Sequence, residues 1–178
     1  MPIEYTKERL ILCEGSSDKT FFTELIRARE LPDYQVQFPH GANETTGGVS
    51  KFRRFLEAAA LNEDFINTVR GILVVADNDD NPGGQFYQVT TQILDAGYGV
   101  PSGELQFARS RPPLPPVAVM MLPLGRGRGN LESVVKLAAL AKWPTLATPL
   151  EDFFNSTPAS GWTQGKQDKM RIQCILSE

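Results

Sequence analysis

Short apolar runs alternate along this chain with longer segments in which apolar residues recur every three or four positions. The apolar runs have the length of strands and are uniform enough to be buried on both faces of a sheet. The predicted strands are RLILC, YQVQF, GILVVA and VAVMMLP. A strand that alternates with a helix forms a βαβ unit, so the pattern predicts an α/β fold with a central, mainly parallel four-stranded sheet flanked by helices.

The segments between and after these strands predict the helices. Each has one apolar face at helical spacing, and several begin after residues that favour a helix start. The predicted helices are the segment after EGSSD with Ser17 or Asp18 as its cap, VSKFRRFLEAAAL, FYQVTTQILDAG, LESVVKLAALAKW, TPLEDFF and QGKQDKMRIQCILSE. The proline-rich stretch from Tyr98 to Pro116 predicts an irregular connection, with a short edge strand at ELQFA.

Composition and cysteine content limit the class of protein. The 178 residues are 41% hydrophobic and 22% charged, which is the size and composition of one globular domain. Only two cysteines occur, Cys13 and Cys174, so a disulfide framework and a clustered zinc site are both excluded. No window approaches the roughly 18 to 20 apolar residues that a membrane span requires. We therefore expect a soluble, cytoplasmic protein without a membrane partner.

The charge is unevenly distributed along the chain. Counted from the sequence, residues 1–100 contain 9 Lys and Arg against 15 Asp and Glu, a net −6, whereas residues 101–178 contain 9 against 6, a net +3. The two parts add up to the net charge of −3. An acidic half that binds cations would thus adjoin a basic half that meets phosphates. The alternative is charge on ordinary solvated helix faces.

Acidic residues follow three of the predicted strands. Glu14 comes after RLILC, Asp77 and Asp79 come after GILVVA, and Glu132 comes shortly after VAVMMLP. The carboxyl ends of parallel strands share one edge of a sheet, so these side chains are expected to lie together. Clustered carboxylates repel one another unless a cation lies among them, and oxygen ligands without His or Cys favour Mg²⁺ or Mn²⁺. The alternative is that Asp79 and Asp80 only form a turn and a helix cap, and that Glu14 has no ligand.

These segments resemble a known domain. LILCEGSSDKTFF resembles the strand, Glu-Gly turn and helix that open the Toprim domain of primases, topoisomerases, ribosomal-RNA maturases and OLD-family nucleases. GILVVADNDDN resembles the Asp-x-Asp strand of that domain, and GNLE resembles a Gly-x-Leu-Glu element of OLD-type nucleases. The resemblance covers residues 8–135. It implies one Toprim-like domain over residues 1–178, a Rossmann-like three-layer sandwich with a C-terminal helical part at residues 136–178.

The resemblance also implies roles for individual residues. Glu14 matches the catalytic or metal-binding glutamate of the family, and Asp77 and Asp79 match its metal-binding aspartates. Glu132 matches the acidic residue that holds a second metal in OLD-type domains. Lys169, with Lys166 as the alternative, matches a late lysine that lies near the scissile phosphate in such nucleases, so we assign Lys169, with Glu14, a catalytic role. The other interpretation is an ordinary solvated lysine of a terminal helix. The implied cofactor is Mg²⁺ or Mn²⁺.

The implied activity is metal-dependent hydrolysis of phosphodiesters in DNA or RNA. Topoisomerase Toprim domains carry an Arg-Glu-Gly element after the aspartates, and Asn81-Pro82-Gly83 stands in its place here, which favours the nuclease branch. The alternative is a catalytically silent Toprim-like module that binds nucleic acid or protein in a defence or repair complex, beside an ATPase partner. A receiver-like phosphoacceptor is disfavoured, because receivers need an acidic pair after their first strand. Here Glu14 is followed by Gly-Ser-Ser.

Four basic residues are candidates for binding the phosphate backbone of a nucleic acid. Arg126 and Arg128 lie in the GRGRGN turn close to Glu132 in sequence, and Lys51 and Arg53 begin the helix after a glycine pair. For both pairs, an exposed position without a ligand is the alternative.

Overall fold

The fold was obtained as a computed structural model, which describes residues 3–31, 33–39, 48–125 and 127–176. Four strands form one sheet in the order β2-β1-β3-β4, and every neighbouring pair is parallel. The strands are β1 (Arg9–Leu12), β2 (Tyr34–Gln37), β3 (Gly71–Asp77) and β4 (Val117–Leu122). The predicted α/β class and four-stranded parallel sheet are confirmed.

Seven α-helices connect and follow the strands in the described ranges. They are α1 (Ser16–Ala28), α2 (Phe52–Ala60), α3 (Glu63–Thr68), α4 (Pro82–Asp95), α5 (Leu131–Lys142), α6 (Ala147–Asn155) and α7 (Gln164–Leu176). The sequence pattern did not predict α3, because six residues are too few to show a helical period. Of these described helices, none is long and apolar enough to cross a membrane.

Helices cover both faces of the sheet. On one face, Leu12 and Val74 belong to a core cluster that also contains Phe52 of α2, Phe65 of α3 and Val89 of α4. On the other face, strand residues that alternate with these belong to a second cluster with α1 and α5; its buried members are Ile11, Cys13, Phe22, Val36, Val75, Leu122 and Leu131. The strands are apolar at consecutive positions because both of their faces are buried.

Two local expectations were wrong. The segment ELQFA does not form a strand, because its backbone turns at Leu105, where φ is 59°. It contacts the edge of β4 through a hydrogen bond from Leu105 N to Val119 O at 2.7 Å and a single antiparallel bridge between Ala108 and Val117. The cap of α1 is Gly15 rather than Ser17 or Asp18.

The C-terminal helices pack on the rest of the fold through α5. Helix α7 lies against α5 and buries Ile172 and Ile175. The guanidinium of Arg171 lies over the ring of Phe154 in α6, 4.4 Å from its centroid. This packing brings the first turns of α7 to the same edge of the sheet at which the strands end, since Gly165 of α7 lines the same groove as Asn130, the residue just before α5.

Candidate functional site

Glu14 and Asp77 meet at the carboxyl ends of the two central strands. β1 and β3 are parallel neighbours in register, with Leu12 opposite Val74, so the residues after them emerge side by side. The Oε1 atom of Glu14 accepts a hydrogen bond of 2.8 Å from the backbone N–H of Asp77. This bond fixes the Glu14 side chain across the end of β3.

The amino end of α5 points at Asp77. The backbone N–H of Leu131, the first residue of the helix, donates to Asp77 Oδ1 at 2.9 Å. Asn130 caps the helix by accepting from the N–H of Ser133 at 3.0 Å, and Glu132 lies in the first turn. The partial positive charge of a helix amino end stabilises an anion placed there, so this contact favours ionised Asp77.

Asp79 is held by the backbone of the turn before α5. Its N–H donates to Gly129 O at 2.7 Å and its carbonyl accepts from Gly129 N at 2.9 Å. Its φ of 46° is left-handed, a conformation that Asp tolerates better than most residues. Asp79 Oδ2 accepts a hydrogen bond from Gln85 Nε2 at 3.0 Å. The backbone pairing therefore ties the turn after β3 to the turn after β4.

The four predicted metal ligands and the predicted catalytic lysine line one groove of about 480 Å³. Its acidic lining residues are Glu14, Asp18, Asp77, Asp79 and Glu132. Its basic lining residues are Lys166 and Lys169 of α7, and Lys169 Nζ lies 3.4 Å from Glu132 Oε1. We refer to this space as the acidic groove. The structure thus brings together all four predicted metal ligands and the predicted catalytic lysine.

Burial and mutual repulsion disfavour the charged forms of the two central carboxyls. Burial, then the nearby charges of Glu14 and Asp18, raises the pKa of Asp77 to about 8. Burial, then the charges of Asp18 and Asp79, raises the pKa of Glu14 to about 7. The hydrogen bonds from backbone N–H groups act in the opposite direction but are outweighed. The groove therefore favours either a proton or a cation among its carboxyl groups.

The carboxyl groups are not arranged as a ready-made set of metal ligands. Within the described ranges, no three His, Cys, Asp or Glu side chains are placed to hold one ion. One oxygen of Glu14 and one of Asp77 accept backbone hydrogen bonds, and Asp79 is turned towards Gln85. A cation shared by these three residues requires rotation of their side chains, above all that of Asp79.

Of the four basic residues proposed for phosphate contact, one lies beside the acidic groove. Arg128 lines a second groove of about 560 Å³, which shares Asp79, Asn130 and Gly165 with the acidic groove. Arg53 lies on α2, where its guanidinium pairs with carboxylates of α2 and α4 instead of lining either groove. Lys51 lies in the turn before α2 and is likewise not a lining residue of these two grooves. Arg126 lies outside the described residues.

Two acidic residues near the groove were not recognised from the sequence. Asp18 was interpreted as a helix cap, whereas its carboxyl group accepts from Gly15 N at 2.8 Å and lines the groove. Its position in the first turn of the helix that follows Glu14-Gly15 was the available signal. Asp168 is buried between α5 and α7, with its cationic partner Lys136 32 residues away in the chain. Nothing in the local sequence indicates that burial.

Comparison with known proteins gives a family but no described relative. Comparisons with the curated proteins and with the solved structures gave no significant match. A family model described as "Protein of unknown function (DUF3226)" matches residues 8–178, a range that includes every strand and helix of the fold. The chain therefore belongs to the DUF3226 family.

Proposed function

We propose that this chain is a Mg²⁺- or Mn²⁺-dependent nuclease, a Toprim-like phosphodiester hydrolase that acts on DNA or RNA. The observation that carries the proposal is the convergence of Glu14, Asp77, Asp79 and Glu132 in one groove at the carboxyl ends of parallel strands. The resemblance of the segments around Glu14 and Asp77 to the Toprim domain supports the same assignment. We also infer a cytoplasmic location, because both cysteines of the chain are thiols.

The donor set of the groove fits a hard divalent cation. Among the described residues, the lining side chains offer carboxylate oxygens and neither His nor Cys, which is the ligand chemistry of Mg²⁺ and Mn²⁺. The pKa values of Glu14 and Asp77 are raised because burial and the neighbouring carboxylates disfavour their negative charges. A cation in place of the protons would remove that repulsion. Glu14, Asp77 and Asp79 would hold one ion, and Glu132 would contribute to a second.

Such ions, when bound, polarise a phosphoryl oxygen and make water a stronger nucleophile at neutral pH. The chain itself supplies the positioning of the substrate. The amino end of α5, which carries partial positive charge, faces the groove. The positively charged side chain of Lys169 is 60% exposed there. Both stabilise negative charge on a phosphate that enters the groove. Glu14 is the candidate for the general base if it does not ligate the ion, because its pKa of about 7 without metal suits proton transfer at neutral pH.

A nucleic acid extends beyond one phosphate, and the second groove offers a path for it. This groove joins the acidic groove at Asp79 and Asn130, and Arg128 on its wall is placed to pair with a flanking phosphate. We propose that the bound nucleic acid runs along this second groove, past the turn between β4 and α5.

One observation favours a second candidate function, a catalytically silent module that binds nucleic acid or protein in a defence or repair complex. The oxygens Glu14 Oε1 and Asp77 Oδ1 are already bonded to backbone N–H groups, and the carboxylates of the described residues do not form a preformed ligand set. In that case an ATPase partner would supply the chemical work.

A cleavage assay separates the two functions. Labelled single- and double-stranded DNA and RNA are incubated with the full chain in Mg²⁺, Mn²⁺ or EDTA. The nuclease proposal expects cleavage with metal, and a loss of at least about 100-fold in rate for Asp77→Asn, because a metal ligand matters at least as much as the groups around it. Asp152→Asn, an exposed position on α6, is the matched control and should cleave as the wild type does. Absence of cleavage on all four substrates, together with saturable metal binding, would contradict the nuclease proposal, and nucleic-acid binding that survives in Asp77→Ala would favour the silent module.

A further inference from the structure

Asp168 is a fully buried carboxylate outside the acidic groove. Its residue is 1% exposed, and its oxygens accept from Ser133 Oγ at 2.7 Å, Lys136 Nζ at 2.5 Å and Gln164 Nε2 at 2.8 Å. Burial by itself would raise the pKa of Asp168, but the hydrogen bonds from Lys136 and Ser133 outweigh it and the pKa is lowered. Asp168 is therefore ionised in the interior between α5 and α7.

The hydrogen bonds of Asp168 continue into the acidic groove. Ser133, which Asp168 binds, lies in the first turn of α5, and its hydroxyl oxygen accepts from the backbone N–H of Asn130 at 3.3 Å. The next N–H along the chain, that of Leu131, donates to Asp77 Oδ1. The N–H of Asp77 in turn donates to Glu14 Oε1. An unbroken path of hydrogen bonds and short backbone links thus joins α7 to the two central carboxyls.

Asp168 also fixes the part of α7 that lines the groove. Lys169 is the next residue along the helix and pairs with Glu132, and Gly165 and Lys166, one turn earlier, contribute to the wall. The two helices bury apolar side chains as well, including Ile172 and Ile175. Replacing a buried ion pair with well-packed apolar residues is often neutral or stabilising, so a carboxylate at this position is weak evidence for a role in stability. Its bonds specify where the first turn of α5 lies.

We propose that Asp168 is a positioning residue, which holds the amino end of α5 against Asp77, orients that carboxyl group and thereby sets the affinity of the acidic groove for a divalent cation. The inference rests on the proposed function, since it assumes that the groove binds the cation. Groups that orient metal ligands through hydrogen bonds typically change metal affinity about 10- to 100-fold when they are removed.

The test is titration calorimetry of the full chain with Mn²⁺ alone, without substrate. Asp168→Asn keeps the size of the side chain but removes its charge, and should weaken Mn²⁺ binding by about 10- to 100-fold. Ser133→Ala interrupts the same path in α5 without changing any charge, and should weaken binding in the same direction. If Asp168→Asn does not fold, the Mn²⁺ affinity of Ser133→Ala tests the inference in its place. Ile175→Ala is the matched control, because it loosens the packing of α7 and takes no part in the path.

The outcomes separate the inference from the proposed function. Weaker binding in Asp168→Asn and Ser133→Ala, with wild-type binding in Ile175→Ala at a similar melting temperature, supports the positioning role. If the wild type binds Mn²⁺ and the two path variants bind it equally well, the inference fails and the proposed function stands. Equal weakening in all three variants also overturns it, since Asp168 would then act only through the packing of α7. If the wild type itself binds no Mn²⁺, the proposed function fails, and the inference with it.

Discussion

At the residue scale, Asp77 and Glu14 are carboxyl groups that keep their protons to an unusually high pH. Their pKa values are about 8 and about 7 in the folded protein, against ordinary values of 3.8 and 4.5. Between these limits the folded state binds more protons than the unfolded state, so stability falls as pH rises. The two groups therefore make their smallest contribution to the stability of the metal-free fold at high pH, where their ionised forms would bind the proposed cation most strongly.

The first prediction concerns this pH dependence. The free energy of unfolding of the full chain in EDTA should fall as pH rises from about 4.5 to about 8, by on the order of a few kcal/mol. Urea denaturation at a series of pH values measures it. Addition of Mn²⁺ at pH 8 should restore most of the loss, since the cation replaces the protons. A stability that is flat or increasing across this range in EDTA would contradict the assigned electrostatics.

The second prediction isolates Asp77. Asp77→Asn keeps an oxygen that accepts from Leu131 N–H and removes the charge, so the metal-free variant should be more stable than the wild type at pH 8, by about 1 to 3 kcal/mol. Its melting temperature should no longer rise with Mn²⁺. Asp152→Asn, which is exposed on α6, should retain the wild-type response to both pH and metal. A variant less stable than the wild type in EDTA would show that ionised Asp77 is well compensated.

At the scale of elements, the turn from β4 to α5 holds the site together. Gly129 has a φ of 133° and forms the backbone pair with Asp79. A Cβ atom at this position would lie 2.8 Å from Ser133 Oγ and 3.3 Å from Pro123 Cδ. The same turn contains Gly125, with a φ of 80°, where a Cβ atom would meet nothing within 4 Å. Alanine at Gly125 would therefore introduce backbone strain alone, whereas alanine at Gly129 would add a steric contact with Ser133.

The third prediction uses this pair. Gly125→Ala should destabilise the fold by about 1 kcal/mol through backbone strain alone. Gly129→Ala should cost about 1 to 3 kcal/mol more, because the methyl group displaces Ser133 and the turn that carries Asp79. It should also weaken Mn²⁺ binding, which Gly125→Ala should not. Chemical denaturation and calorimetry measure the two effects, and equal losses in both variants would show that the contact with Ser133 relaxes freely.

The strands were predictable from sequence because burial on both faces leaves an apolar run in each. The helices α2, α4 and α5 were predictable because each has one apolar face. Helix α3 was missed, since its six residues depend on the cap formed by Asn62 rather than on a period. The error at ELQFA has a similar cause: backbone hydrogen bonds to β4 hold that segment without extending it, and the left-handed backbone of Leu105 leaves no mark in the pattern.

At the scale of the whole molecule, the convergence of the acidic residues followed from strand order, whereas the position of α7 did not. Parallel strands place Glu14 and Asp77 at one edge whatever the details of the loops. Glu132 depends in addition on the turn between β4 and α5, which Gly129 ties to Asp79. The placement of Lys169 depends on the packing of α7 on α5, and so on the ion pair between Asp168 and Lys136. That pair joins two helices that are far apart in the sequence, and the pattern of a single sequence carries no information about such a contact.

The fourth prediction concerns this basic wall. If Lys166 and Lys169 each neutralise one phosphate, Lys166→Ala/Lys169→Ala should reduce the slope of log affinity against log salt for single-stranded DNA by about 1.4. Fluorescence anisotropy with a labelled oligonucleotide in Ca²⁺, at several salt concentrations, measures this slope. Lys142→Ala is the control, because Lys142 ends α5 and its ammonium lies 4.6 Å from the centroid of the Trp143 ring. An unchanged slope in the double variant would place the phosphates elsewhere.

The wall that α7 contributes has a consequence for biosynthesis. Of the five acids that line the groove among the described residues, four belong to the first 79 residues, while Lys166 and Lys169 are synthesised well after all five. A ribosome-bound chain consequently exposes its carboxylates before it has the lysines that face them. The completed groove can form only after residue 169 has emerged from the exit tunnel, so its two lysines face the carboxylates only late in synthesis.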